Sequence, residues 1–305
     1  SAKVANDSKL PILFIAYTGL LYSNCSSNIK DEEVINEFNK MKRNLKDNSN
    51  DNEMLRQASH QLGEWYAMKE KYPKALTYLL ESIRISEELQ LKDFYYARTN
   101  ERLGFIHVSI GYYKEAEKYI DKSLQVAHTL KDTFQLGSTY LGKSNLMIKL
   151  KDEAKAQRYI DSAMYVMKNV KHCEPCYNFA KTVNAGIKNL AKNYSGALTE
   201  LQEVEAFYNK GEGQMPDPRF YTEKARAYLG LKKYNNAIQT INAVKVSEQT
   251  YNKDVSDNYD ILSKAYEGIG DYKNALKNYM QNPAASSCAD VDLLKALQEH
   301  QPEDG

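Results

Sequence analysis

The sequence has little of what builds catalytic or metal centres, since 305 residues include only five histidines and four cysteines. The histidines form no HExxH motif, and there is no G-x-S-x-G, no Walker-type phosphate loop and no dinucleotide-binding glycine pattern. The 41 basic and 40 acidic residues leave a net charge of +1, which gives no global attraction to nucleic acid or an anionic membrane. These absences argue against an enzyme and predict no catalytic residue, no cofactor, no metal and no direct contact with nucleic acid.

Proline and glycine are also scarce, at seven and 14 residues, so extended disorder is not expected. The cysteines include one CxxC motif, Cys173 and Cys176, next to His172. Redox exchange, half of a zinc site, a local disulfide and two ordinary thiols all fit this spacing. No second CxxC completes four zinc ligands, and Cys25 and Cys288 lie near the chain ends. We interpret the motif as a possible local disulfide or as two thiols.

What the sequence does contain is an internal repeat. A tyrosine is followed three residues later by an alanine, and successive alanines are separated by 41, 40, 41, 40 and 38 residues. Such regularity is typical of repeat architectures. The six pairs are Tyr72/Ala75, Tyr113/Ala116, Glu153/Ala156, Tyr194/Ala197, Tyr234/Ala237 and Tyr272/Ala275, with glutamate replacing tyrosine once.

Each repeat contains two runs of helical periodicity that are separated by a short polar turn, which predicts a helix hairpin. Where two helices cross closely, only a small side chain fits, so the alanine marks the crossing on the second helix. The tyrosine is expected to fill the wedge at the turn. Small residues nine positions before the tyrosine or its equivalent mark the crossing on the first helix: Gly63, Gly104, Ser144, Ala185, Ala225 and Ser263.

These residues resemble the tetratricopeptide repeat family over residues 53–281. The best-matched units carry Leu62, Gly63, Tyr66, Tyr72, Ala75, Leu79 and Ser82, and then Leu103, Gly104, Tyr113, Ala116, Ile120 and Ser123. The repeats are longer than the usual length of about 34 residues, and long-helix repeats of this kind look like those of Bacteroides-type sensors and adaptors. The resemblance implies an all-α, right-handed superhelical solenoid of six hairpins with capping helices at both ends.

The domain boundaries follow from composition. Residues 1–30 form an N-terminal apolar segment, residues 31–52 a capping helix and loop, residues 53–282 the six-repeat solenoid, and residues 283–305 a C-terminal capping helix and tail.

The apolar segment has the layout of a secretory signal, because residues 10–22 are mostly apolar and too short to span a bilayer. The sequence around Cys25 also resembles a bacterial lipoprotein signal, although Asn24 precedes the cysteine where that family prefers a small residue. The alternative is a helix that caps the first repeat. The first interpretation predicts a periplasmic or membrane-anchored extracytoplasmic protein, with membrane attachment through the N-terminus as one possibility. The second interpretation is compatible with a cytoplasmic protein.

The predicted binding site is the concave groove lined by the first helix of each hairpin. A protein or peptide with both apolar and charged features would fit its mixed lining, which predicts a non-catalytic interaction scaffold. The alternative is a ligand-sensing domain of a bacterial signalling or transcription-regulatory protein. The predicted groove residues are His60, Glu64, Glu101, Phe105, Leu141, Asn145, Thr182, Arg226, Asp260 and Lys264, together with Gly186 and Thr222.

Overall fold

A computed structural model of the protein describes residues 31–44, 49–168, 170, 173–210, 216–243 and 252–282. In these ranges the chain consists of α-helices and short turns, and they contain no strand. The predicted all-α class is therefore confirmed. The predictions for residues 1–30 and 283–305 lie outside the described ranges.

The described helices fall into two compact units that divide between residues 170 and 171. Unit 1 contains α1 (Asp31–Asn44), α2 (Ser49–Met68), α3 (Tyr72–Glu88), α4 (Phe94–Ser109), α5 (Tyr113–Leu130), α6 (Thr133–Lys149) and α7 (Glu153–Met167). Unit 2 contains α8 (Glu174–Leu190), α9 (Tyr194–Tyr208), α10 (Pro218–Gly230), α11 (Tyr234–Asn242), α12 (Asn252–Gly268) and α13 (Tyr272–Gln281). From α2 onwards, each even-numbered helix is the first helix of a hairpin and the next helix is its second.

Local sequence fixes the helix ends. Many helices begin after an aspartate or asparagine whose side chain accepts a backbone N–H, as Asp93 does from Tyr96 at 3.0 Å. Several helices are followed by a residue in the left-handed conformation, the usual helix stop. Glycine fills this place at Gly111 and Gly270, but side-chain-bearing residues fill it elsewhere: Glu70, Gln90, Lys131, Lys151, Lys192 and Lys232.

The repeat alanines lie at the helix crossings, as their spacing predicts. A Cβ added to Gly104 on α4 would lie 2.5 Å from Cγ1 of Ile120 on α5, so only glycine fits there. In the α6–α7 hairpin the hydroxyl of Ser144 donates to the carbonyl oxygen of Ala156 at 2.8 Å. Small residues therefore let the two helices of a hairpin approach closely. The alanines that are fully buried on the second helices are Ala75, Ala116, Ala156, Ala197, Ala237 and Ala275.

The repeat alanines of unit 2 belong to its hydrophobic clusters. Ala197 on α9 lies in the cluster that contains Phe220, and Ala237 on α11 lies in the cluster that contains Ile261. Both alanines have a relative exposure of 0%, so neither can touch a partner at the surface. Ala197 and Ala237 are therefore packing residues of the core and are not part of a binding site.

The repeat tyrosines are the first residues of their helices and join neighbouring hairpins. The ring of Tyr194 covers Gly230 near the end of α10. The ring of Tyr234 covers Gly268 on α12 in the same way, and a Cβ there would lie 2.5 Å from its Cζ. The tyrosine therefore wedges one turn against the first helix of the next hairpin.

The core of unit 1 extends into α1, whose Val34 and Phe38 pack in the same buried cluster as the first hairpin. Phe38 meets Tyr78 edge to face, with ring centroids 5.3 Å apart. One prediction is wrong: residues 48–53 are predicted as a polar loop, but α2 begins at Ser49. The polar run there forms its first turn, where uncapped N–H groups favour polar and acidic residues. Within the described ranges, none of the helices combines the length and the apolar composition that spanning a bilayer requires.

Candidate functional site

The first helices of unit 1 pack side by side and form a continuous surface, which we call the first-helix face of unit 1 (α2, α4 and α6). Polar side chains join the helices along it. Nδ1 of His60 lies 2.9 Å from the hydroxyl of Thr99, and the guanidinium of Arg102 donates to both carboxylate oxygens of Glu64 at 2.6 and 2.7 Å. These contacts hold α2 and α4 in fixed register.

Burial controls the charge of these groups. It lowers the pKa of His60 to about 4, so the imidazole is neutral at physiological pH. Burial alone would raise the pKa of Glu64, but the Arg102 guanidinium lowers it below its usual range. A charged, hydrogen-bonded pair therefore lies beside a neutral histidine.

A second buried carboxyl group joins α4 to α6. Burial raises the pKa of Glu101, although hydrogen bonds from Ser138 and Gln135 oppose the shift. The amide of Gln135 donates to Glu101 at 3.0 Å, and the hydroxyl of Thr139 donates to the other oxygen at 3.4 Å. Because these partners are neutral, this carboxyl group has less stabilisation for its charge than Glu64 has.

An accessible part of this face is a stripe along α4 in which two arginines are flanked by two phenylalanines at helical spacing. Arg98 lies over the ring of Phe94 with 5.5 Å to the centroid, and Arg102 lies over the ring of Phe105 at 5.9 Å. Phe105 also covers Gly142 on α6. In the described part of the chain, Arg98 has no carboxylate within ion-pair distance.

The first helices of unit 2 form a comparable face on α8, α10 and α12. Its centre is Glu223, which accepts from the amide of Asn189 at 3.0 Å. Arg226 lies 3.4 Å from Glu223 and 3.1 Å from Asp257 on α12, while the hydroxyl of Thr222 donates to Asn258 at 2.8 Å. Like the face of unit 1, this face carries partly exposed arginines next to buried polar side chains that link neighbouring helices.

The structure places the predicted groove residues in three environments. Phe105, Asn145 and Arg226 are partly exposed on the first-helix faces, and Asp260 and Lys264 are exposed and form an ion pair at 2.9 Å. Gly186 and Thr222 are buried, and Gly186 lies against Glu223. The expectation of an open lining is corrected at these two positions and at five others that are buried in helix contacts: His60, Glu64, Glu101, Leu141 and Thr182. The physical reason is that successive first helices pack closely enough to cover residues one and two turns from their starts.

Two kinds of residue were not predicted from the sequence. They are partly exposed arginines other than Arg226 on the first-helix faces, and buried polar side chains that link neighbouring first helices. Arg98 and Arg219 could have been predicted from the sequence, because each lies one helical turn from another residue of the same face. Gln135 and Glu223 had no such signal, since a glutamine or glutamate on a helix is ordinarily solvent-exposed. Their role follows only from how the helices pack.

The structure joins Cys173 and Cys176 in a disulfide, which is one of the alternatives that the sequence left open. Cys173 is buried and precedes the first residue of α8. The disulfide therefore ties the entry of unit 2 to the first turn of its first helix. Among the residues that the structure describes, no group of three or more histidine, cysteine or acidic side chains is arranged to hold a metal ion.

Comparisons with known proteins agree with this architecture. A family model for the tetratricopeptide repeat matches residues 97–127 and 218–245, which are the α4–α5 and α10–α11 hairpins. No curated protein sequence matches the chain.

Solved structures with the same fold were found at low sequence identity. A Rap protein complexed with competence and sporulation factor is 12% identical with a TM-score of 0.68, covering 97% of this chain and 79% of its own. NprR in complex with its cognate peptide NprX is 14% identical with a TM-score of 0.64, covering 96% and 83%. A tetratricopeptide repeat protein from Parabacteroides merdae is 15% identical with a TM-score of 0.58, covering 96% and 98%. The family model thus identifies tetratricopeptide repeats in the α4–α5 and α10–α11 hairpins, and the solved structures share the helix-hairpin fold of the chain.

Proposed function

We propose that the protein is a non-catalytic scaffold whose first-helix face in unit 1 binds a peptide or protein segment that carries a carboxylate beside an apolar side chain. The observation that carries this proposal is the α4 stripe, where Arg98 and Arg102 lie one helical turn apart and are flanked by Phe94 and Phe105. Guanidinium groups recognise carboxylates with two parallel hydrogen bonds, and the rings offer apolar contact.

The rigidity of the surroundings supports the proposal. Arg102 is held by both oxygens of Glu64, so its position is set before any partner arrives. Arg98 lacks a carboxylate partner in the described residues and therefore has donors to offer. A preorganised arginine beside an available one reduces the entropy lost on binding.

The similar structures give separate support. Rap is complexed with competence and sporulation factor, and NprR with its cognate peptide. At 12% and 14% identity, these structures support the fold only. The proposed binding residues rest on the contacts observed in this chain.

A display library of random peptides selected on the full chain tests the proposal. Selected peptides, labelled with a fluorophore, are titrated against the wild type, Arg98→Gln and Phe105→Ala. We expect enrichment of aspartate or glutamate next to an apolar residue, and about tenfold weaker binding to Arg98→Gln. Arg84→Gln is the matched control, because Arg84 is exposed on α3 and pairs with Glu88 at 2.6 Å.

Two results would overturn the proposal. One is a selection without preference for acidic residues. The other is a set of peptides that bind Arg98→Gln and Arg84→Gln equally well, which would place the site elsewhere.

A further inference from the structure

In unit 1 the stacked hairpins place their turns along two opposite edges. The turns inside the hairpins comprise residues 69–74, 110–115 and 149–155, which we call the turn edge. The links between hairpins comprise residues 87–94 and 128–134, which we call the linker edge. Because the first helices all run in the same direction, each kind of turn lies on its own edge.

The two edges differ in charge. The turn edge has seven lysines against four carboxylates, a surplus of three positive charges, and all seven lysines are exposed. The linker edge has two lysines against four carboxylates, a surplus of two negative charges. The net charge of +1 for the whole chain conceals this asymmetry.

The turn edge also exposes large apolar side chains at its tips. Ile110 is 38% exposed, Tyr112 60% and Leu150 45%. Leu150 stands between Lys149 and Lys151, so an aliphatic side chain is flanked by two cations at one tip. The linker edge exposes similar apolar side chains, with Leu130 at 43%, so charge is what separates the edges.

We propose that the turn edge of unit 1 docks on a membrane surface that contains anionic lipids. Each lysine near such a surface strengthens binding by electrostatic attraction, by about fivefold in affinity. Tyrosine is favoured at the headgroup level, and lysines can place their stems along apolar material while the ammonium groups reach the phosphates. A row of projecting tips with apolar centres and basic flanks matches a flat, anionic, partly apolar surface.

Unit 2 repeats the pattern on its own turns. Leu190, Leu231 and Ile269 are exposed at the ends of α8, α10 and α12. Lys192 follows the first of them closely, and Lys232 and Lys233 follow the second directly. The combination of an aliphatic residue and lysine at the turn is therefore a property of several repeats.

Co-sedimentation of the full chain with vesicles tests the proposal. One set of vesicles contains phosphatidylcholine alone, and the other contains equal parts of phosphatidylcholine and phosphatidylglycerol. We expect binding to the second set at low ionic strength, weaker binding after salt is added, and little binding to the first.

A matched pair of variants locates the contact. Lys151 on the turn edge and Lys131 on the linker edge both follow a helix in the left-handed conformation, with φ of 59° and 55°. Replacing either with glutamine therefore has the same backbone consequence. Lys151→Gln should weaken vesicle binding about fivefold, and Lys131→Gln should change it by less than about twofold. Leu150→Ser against Leu130→Ser forms a second pair with the same expected order.

Every variant keeps the apolar residues 10–22, so a contribution from that stretch cancels in the comparison. Failure to bind the anionic vesicles, or equal losses within each pair, would overturn the proposal. Binding to soluble polyglutamate without binding to vesicles would also overturn it, since that result indicates an acidic protein as the partner.

Discussion

Ser144 donates its hydroxyl hydrogen to the backbone carbonyl of Ala156 across 2.8 Å, and Ser263 does the same to Ala275 at 3.0 Å. Two hairpins in different units thus use one hydrogen bond at the same place in the repeat. Where glycine occupies this position, as at Gly104, the helices approach without that bond. The crossing point therefore accepts only glycine or a residue with a very small side chain.

The first prediction concerns this crossing. Ala116→Leu should lower the free energy of unfolding by about 1 to 3 kcal/mol, because the larger side chain overpacks the contact between α4 and α5. Urea denaturation followed by circular dichroism measures the change. Ala154→Leu, on the exposed surface of α7, is the control and should stay within about 0.5 kcal/mol of the wild type. Equal effects in the two variants would contradict the close approach at Ala116.

The second prediction uses the left-handed turn residues. Lys232 has φ of 57°, a conformation that costs free energy for a residue with a Cβ. Lys232→Gly should raise the free energy of unfolding by about 0.5 to 1 kcal/mol. Gly270→Ala, at φ of 79°, should lower it by a similar amount. Thermal denaturation of both variants measures the change in melting temperature. A shift of the same sign in both would be inconsistent with the assigned backbone conformations.

The third prediction is a pH dependence due to His60. Its folded-state pKa of about 4 lies below the ordinary value of 6.5, so between these values the unfolded chain binds the extra proton. Stability is therefore lost as pH falls from 6.5 towards 4, by at most about 1.4 kcal/mol per unit of pKa shift. The neighbouring charges that act on this imidazole are Glu64, Arg56, Arg98 and Arg102.

Because carboxylates titrate in the same range, the informative quantity is the difference between the wild type and His60→Gln. We expect the wild type to lose more stability than the variant when urea denaturation is repeated from neutral pH down to pH of about 4. Parallel curves would show that His60 is not buried in the neutral form.

The fourth prediction concerns Arg226, which bridges Glu223 on its own helix and Asp257 on α12. Arg226→Glu brings a third carboxylate into this group, and repulsion among the three should destabilise the protein. Because the group is partly exposed to water, we expect a loss of only about 1 to 2 kcal/mol. Chemical denaturation measures the loss. Arg84→Glu on α3 is the control with an exposed ion pair and should cost less. A fully stable Arg226→Glu protein would show that the link between α10 and α12 contributes nothing.

The fifth prediction concerns the disulfide at the start of α8. Replacing both Cys173 and Cys176 with serine removes a short covalent loop, for which loop-closure entropy gives a loss of about 2 kcal/mol. Denaturation of the wild type with and without a thiol reductant should show the same loss. If the reductant changes the double-serine variant equally, the effect does not come from this disulfide.

The sequence was informative wherever side-chain size alone decides the structure. The buried alanines, such as Ala197 and Ala237, and the glycine at the crossings follow from spacing, because a single steric rule governs them. Residues of the first-helix faces were harder to predict, since the same helical position can be open or covered depending on how closely the next helix packs. Glu64 illustrates this difficulty: it was expected to line a groove, but lies buried against Arg102.

The left-handed residues at the hairpin ends have one further consequence. Lysine or glutamate stands there in several repeats although glycine would relieve the backbone, so those tips can differ in charge while the helices around them stay the same. Surface chemistry at the periphery can thus diverge from one repeat to the next, independently of the packed interior.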